Sequence, residues 1–189
     1  NIHRSPFGGR NFEYFSEDGF LTGKMAAAQI RGCQSKGVYC FMKHFALNDC
    51  ETNCRAISTF VNEQAIRELY LQPFEHAVVD GGAYCVMNSF ARVGVIWTGA
   101  HRGLMTDVLR GEWGCRGFGV SDYTTSSYGT AVHSRGTYDG LLGVLAGTDT
   151  FDSSSTTTQA YQLLVYNAAD PAVNDVHLVN CMRQAAHRI

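Results

Sequence analysis

The chain has 189 residues, 45% of them hydrophobic and 17% charged, with a formal net charge of −2, the profile of one ordinary globular domain with a sizeable core. No basic stripe is present to neutralise phosphates, so a nucleic-acid partner is not expected, and no apolar run is long enough to cross a bilayer, so neither is a membrane. The seven cysteines, Cys33, Cys40, Cys50, Cys54, Cys85, Cys115 and Cys181, lie at irregular spacings among apolar neighbours, as mostly free, buried thiols do, and no C-x-x-C or histidine pair suggests a metal.

The opening Asn1–Pro6 has neither the basic nor the apolar region of a signal peptide, which leans the compartment toward the cytoplasm. The chain also lacks an initiating Met, so it looks like the interior of a longer protein. Residues 1–19 are irregular, with Pro6, several glycines and an aromatic-acidic run, Asn11-Phe-Glu-Tyr-Phe-Ser-Glu-Asp18. Its aromatics Phe12, Tyr14 and Phe15 are expected to pack in the core. Thr22 is placed to cap a helix through residue 33, which Gly32 and Gly37 end. The continuous apolar run at 38–42 suits a buried parallel strand ending on Lys43 and His44. Residues 62–80 carry an apolar stripe at helical spacing, with Pro73 expected to bend or divide the helix and Gly81 and Gly82 to stop it. A second strand at 83–87 ends on Asn88 and Ser89. A helix at 102–113 puts Leu104, Met105, Val108 and Leu109 on one face. A third strand at 117–121 ends on Ser121 and Asp122. The apolar run 141–145 fits either helix or strand and leads to Thr148 and Asp149. Helices are expected at 159–167 and 174–189.

Strict alternation of strand and helix calls for a parallel α/β sheet. Every candidate strand ends on a polar cluster, so in a parallel arrangement these ends share one rim, where ligands gather in such folds. Asp122 is the rim residue singled out for chemistry. A helix cap or turn is the plainer role for it, and the same role is preferred for Asp149. An open doubly wound sheet and a barrel both satisfy the pattern. A complete eight-fold barrel takes about 250 residues, so a barrel here is partial. No Gly-rich phosphate cradle follows a strand, which leaves no sign of a nucleotide cofactor.

Several segments, in order, resemble the N-terminal barrel domain of glycoside hydrolase family 3, the β-glucosidase family. They are Gly9-Arg-Asn-Phe-Glu-Tyr-Phe-Ser-Glu-Asp18, Lys43-His-Phe45, Glu51-Thr-Asn53, Glu63-Gln-Ala-Ile-Arg-Glu-Leu-Tyr70 with Pro73-Phe-Glu75, Leu109-Arg-Gly-Glu-Trp-Gly114, Val120-Ser-Asp122 and Ala146-Gly-Thr-Asp149. The resemblance implies a partial (β/α)8 barrel over 1–189, with its first strands and a C-terminal domain lying outside the chain. It implies a retaining, exo-acting β-glucosidase in which Asp122 forms a covalent glycosyl-enzyme, with a carbohydrate substrate and no cofactor. Arg10, Lys43 and His44 match residues that hold sugar hydroxyls, and nearby cations would lower the Asp122 pKa. The acid/base Glu would come from the second domain rather than from Glu13, Glu17, Asp18, Glu51 or Asp149. Tyr123 stands where Trp is common and keeps an aromatic wall; Phe90 stands where Tyr is common and Gly19 where Pro is. Cys54 stands where an Arg usually follows Glu-Thr-Asn, so either Arg55 turns inward or that contact is gone. The alternative is a degenerate sugar-binding fragment. A barrel with missing strands exposes edges and apolar helix faces, so the chain alone is expected to self-associate.

Overall fold

The first strand, β1 (Phe41–Phe45), starts three residues later than the apolar run suggests and takes Lys43 and His44 into the strand itself. The computed structural model describes residues 1–55, 57–123, 140–152 and 175–189. Val38 and Tyr39 are exposed and form the approach to β1, where Tyr39 leans on Tyr84 with ring centroids 5.2 Å apart. The helix expected at 159–167 lies outside the described residues.

Helix α1 (Gly19–Gln34) begins earlier than expected, because Asp18 rather than Thr22 caps it, accepting from the Leu21 amide at 2.6 Å. An acidic N-cap satisfies one of the orphan amides and favours the helix dipole. Thr22 is buried instead and donates to the Ser16 carbonyl. After β1 and the short strand β2 (Ser58–Thr59), the chain forms a continuous helical stretch: α2 (Glu63–Ala65), a π-type segment Ile66–Leu71, and α3 (Gln72–Val79). Pro73 explains the division, since it has no N–H to bond backward and its ring crowds the preceding turn. The widened π-type segment precedes it, and Pro73 sits in the first turn of α3, where the missing donor costs nothing.

Strand β3 (Cys85–Asn88) follows, then the hairpin of β4 (Arg92–Val93) and β5 (Ile96–Trp97), then α4 (Gly103–Glu112), a helix with π-type bonding. Leu104, Met105, Val108 and Leu109 form its buried face, as their spacing requires. Strand β6 (Gly119–Val120) leads to Asp122, and the run at 141–145 resolves as helix, within α5 (Gly140–Ala146). The last described helix is α6 (Val176–Arg188), capped by Asp175.

The main sheet is parallel in the order β1-β3-β6, with Phe41 opposite Cys85 and Val86 opposite Gly119. A parallel bridge from Val120 to Thr150 adds a fourth position beyond β6. In the main sheet, helices separate the parallel strands, an α/β fold with the carboxyl ends of β1, β3 and β6 on the same side. A second sheet of β2, β4 and β5 stands beside it. The core fills the space between the main sheet and its helices: Met42, Phe45, Leu71, Phe74, Ala77, Val86, Leu104, Met105 and Leu109. Phe45 meets Phe74 and Trp113 edge-on at 5.1 and 6.0 Å. Gly117 lies so close to the preceding segment of β3 that an added Cβ would sit 1.8 Å from the Tyr84 carbonyl oxygen. No described helix is long and apolar enough to cross a membrane.

Candidate active site

Below the rim, the polar residues at the strand ends are tied to one another. Asn88 donates to the Thr148 hydroxyl at 2.8 Å, and Thr148 donates to the Gly99 carbonyl at 2.7 Å. Ser89 donates to the Ala46 carbonyl at 2.7 Å, and its own carbonyl accepts from Trp97 Nε1 and the Thr98 hydroxyl. Ser121 Oγ accepts from the Asp152 amide at 2.9 Å. All of these side chains are buried, where an unsatisfied polar group is costly, so the network fixes the strand ends relative to each other. The peptide bonds Lys43–His44 and Phe45–Ala46 in this region are cis.

Asp149, also on this rim and expected from sequence as a cap or turn residue, is instead the centre of a buried charge cluster. Its side chain is fully buried; one oxygen accepts from the Gly119 amide at 2.7 Å and pairs with Arg110 at 2.7 Å, and the other pairs with Arg188 at 2.7 Å. It ties β6, α4 and α6 together.

Asp122 stands at the open end of β6. Its Oδ1 accepts from the Tyr123 amide at 2.6 Å, while Oδ2 is buried and has no hydrogen-bond partner among the described residues. His44 Nε2 lies 3.6 Å from that oxygen, beyond a hydrogen bond. Burial, then the charges of Arg10 and Lys43, bring the His44 pKa down to about 3. The imidazole is therefore neutral at ordinary pH, and the contact with Asp122 is polar rather than an ion pair. His44 Nδ1 meets the Tyr14 hydroxyl at 3.1 Å, with the two rings edge-on.

The cations do not win at Asp122. Burial pushes its carboxyl above the usual aspartate range, against the Tyr123 amide and the charges of Arg10, Lys43 and Arg55, which all pull it down. The expectation that nearby cations hold Asp122 low is thus corrected: desolvation of a carboxylate outweighs charges that are close but not in contact.

The structure brings the other expected residues to the same end of the sheet. Lys43 projects from β1 and Arg10 from the turn before the short 3-10 segment Asn11–Glu13. Arg55 lies with its guanidinium 4.7 Å from the centroid of the Phe90 ring, and its charge reaches Asp122. Cys54 is near enough for Asp122 and Glu51 to raise its thiol pKa after burial has done so. Tyr123 is partly exposed beside the carboxylate.

Two residues of this constellation carry no role in the sequence reading. Glu13 accepts from Arg10 Nε with one oxygen and pairs with Lys43 Nζ at 2.7 Å with the other. Tyr14 reaches His44 instead of filling the core. Core packing is also wrong for Phe12 and Phe15, which are 86% and 43% exposed. The i, i+3 spacing of Arg10 and Glu13 was a visible signal; the contact with Lys43, thirty residues on, was not.

Glu13 and Asp149 are both held by cations, the opposite of what a proton donor needs. Asp18 caps α1, and Glu51 accepts from Asn48 Nδ2 at 3.1 Å. Burial pushes Asp49 up to about 6, but the charges that act on it are Arg4 and the amino end, not Asp122. Among the described residues no group of three or more His, Cys, Asp and Glu is arranged to hold a metal ion.

The model of the Glycosyl hydrolase family 3 N terminal domain matches residues 1–185. A beta-glucosidase of Ruminococcus albus is 49% identical over 123 residues, 65% of this chain and 13% of its own length. An exo-alpha-(1->6)-L-arabinopyranosidase of Bifidobacterium longum is 41% identical over 136 residues, 72% of this chain and 17% of its own. The structure of beta-glucosidase 3B from Thermotoga neapolitana in complex with glucose superposes on all of this chain with a TM-score of 0.83 and 32% identity, over 26% of that protein. This chain therefore spans under a fifth of the curated relatives it matches, and its α/β architecture is that of part of a (β/α)8 barrel.

Proposed function

The chain belongs to glycosyl hydrolase family 3, and on that premise we propose that it carries the nucleophile half of a retaining, exo-acting β-glycosidase of the β-glucosidase type. The observation that carries the reading is Asp122: a buried carboxylate at a parallel-strand end, one oxygen unpartnered among the described residues, with His44 beside it and three cations acting on it.

In the proposed reaction an Asp122 oxygen attacks the anomeric carbon of a terminal β-linked glucosyl unit. The C1–O bond to the leaving group breaks as an ester from C1 to Asp122 forms, and a carboxylic acid protonates the departing oxygen. That carboxylate then takes a proton from water, the water oxygen bonds to C1, and the ester bond breaks to return Asp122. On the family resemblance we assign the acid/base carboxyl to a segment outside this chain; Glu13 and Asp149, for their part, are occupied by cations. Arg10, Lys43 and Arg55 supply donors to sugar hydroxyls, and neutral His44 can both donate and accept. Tyr123 offers a wall for the ring. The elevated Asp122 pKa suits the role, because a carboxylate that is costly to bury gains most by forming a neutral ester.

The test uses the full-length protein with aryl β-glucosides, and aryl α-L-arabinopyranosides as the second substrate class. Asp122→Ala is expected to abolish turnover, and a 2-fluoro glucoside to leave its sugar on the peptide containing Asp122. Undiminished turnover in Asp122→Ala would remove Asp122 from the chemistry. Glucose binding without turnover of either substrate would point to a sugar-binding domain instead.

A further inference from the structure

We infer that Glu13 is a positioning residue that sets where Arg10 and Lys43 stand at this site, a role that rests on the glycosidase reading. The two cations come from separate parts of the chain, a turn near residue 10 and strand β1. Both have long, flexible stems, and a lysine ammonium in particular has no preferred direction of its own. Glu13 gives them a common anchor. One carboxylate oxygen takes Arg10 Nε, and the other takes Lys43 Nζ at 2.7 Å. Each cation spends one donor on the clamp, out of five for a guanidinium and three for an ammonium.

The clamp also fixes charge. Arg10 and Lys43 together carry two positive charges and Glu13 removes one, so the trio presents a single net positive charge to the Asp122 carboxylate. Burial works against the Glu13 anion, but the bonds from Arg10 and Lys43 outweigh it and keep its pKa low. The charges of Arg10 and Lys43 act on both Asp122 and His44. Without Glu13, Lys43 is free to turn to Asp122 itself and mask the attacking oxygen. A glutamine has the same shape but cannot do the same work. Its one oxygen serves one cation, and its NH2 faces the other, donor against donor.

The experiment uses the full-length protein, comparing wild type, Glu13→Gln, Glu13→Asp and Asp122→Ala on an aryl β-glucoside, with active sites counted by burst titration. Glu13→Gln is expected to raise KM about tenfold and lower kcat/KM about 100-fold, the scale of an angstrom-level misplacement. The titratable fraction of sites stays at the wild-type level, and Glu13→Asp, which keeps the charge on a shorter stem, falls between. An unchanged KM with a reduced titratable fraction would make Glu13 a folding residue only and overturn the inference, as would wild-type kinetics in Glu13→Gln. No turnover by wild type, or full turnover by Asp122→Ala, would instead sink the glycosidase reading, and the role of Glu13 with it.

Discussion

Asp149→Asn tests whether the strand that delivers Asp122 is held by charge. Asp149 is fully buried and makes charge-assisted contacts of 2.7 Å to Arg110 and 2.7 Å to Arg188. The two arginine side chains are only 14% and 18% exposed. Asparagine keeps the shape and one acceptor for the Gly119 amide, but leaves two largely buried cations without a counter-charge. Removing one member of a buried ion cluster costs about 3–5 kcal/mol. Burial already works against the Arg110 cation, and its Nε has no partner among the described residues, which argues for the upper half of that range. At about 2–4 °C per kcal/mol for a cooperative unit of 150–250 residues, the transition of the domain that holds this cluster falls by roughly 6–20 °C. Thermal melting of the full-length protein, followed by circular dichroism and by residual activity, reads the change. The compensated triple change Asp149→Asn, Arg110→Met, Arg188→Met is expected to recover most of the loss, because it keeps an acceptor for the Gly119 amide and leaves no cation in need of a counter-charge. A melting temperature for Asp149→Asn within about 3 °C of wild type, corresponding to about 1 kcal/mol, would refute the reasoning. So would a triple variant no better than the single.

Asp122 is held above the usual aspartate range, and the proposed mechanism requires it ionised, so activity is expected to be gained as pH rises through that elevated pKa. The acid limb of kcat/KM is expected above the ordinary aspartate value, and Lys43→Ala, by removing a cation, moves it higher still; a limb that moves down counts against the assignment. The same shift has a stability sign: the favourable contribution of protonated Asp122 is present below its unfolded pKa and lost as pH rises through the folded one. Gly117→Ala places a methyl 1.8 Å from the Tyr84 carbonyl oxygen, so the backbones at 84 and 117 must part. A loss of about 1–3 kcal/mol or more is expected in urea unfolding, together with lower activity; wild-type stability would show that the approach is not needed. Finally, Phe7, Phe12, Phe60 and Val95 are each at least 79% exposed. The 189-residue chain made alone should sediment as concentration-dependent oligomers, and a monomer that melts cooperatively would count against that.

The alternation of strand and helix was legible because apolar runs and glycine stops are local signals. The helix division at Pro73 was legible for the same reason. The start of β1 was not. The apolar run at 38–42 looks like the buried strand, but Val38 and Tyr39 are 58% and 62% exposed, and the strand runs on through Lys43 and His44. Period-two alternation across polar residues is weaker than a continuous apolar run, and at a site the polar residues belong to the strand. The run at 141–145 could not be assigned from periodicity alone, and it lies in a helix. The candidate site was legible as a set of strand ends. Its electrostatics were not, since the sign of the Asp122 shift depends on how deeply the carboxyl is buried, and burial is a property of the fold. Glu13 was discounted as an acid on the family resemblance alone; its pairing with two cations is visible only once β1 lies beside the N-terminal turn.

The hydrogen-bonded layer of Asn88, Ser89, Thr98 and Thr148 draws its partners from within, the carbonyls of Ala46 and Gly99 included, and among the described residues leaves Asn88 Oδ1 as its one unpartnered buried side-chain atom. Its consequence is a separation of what can vary from what cannot. Cys54, Arg55, Phe90 and Tyr123 stand near this layer without taking part in its side-chain bonds, so they can be exchanged and the strand ends keep their relative positions. A sheet of this kind permits substrate preference to drift by single substitutions in the loops. The Asp122 carboxylate, the proposed nucleophile, stays where the underlying layer puts it.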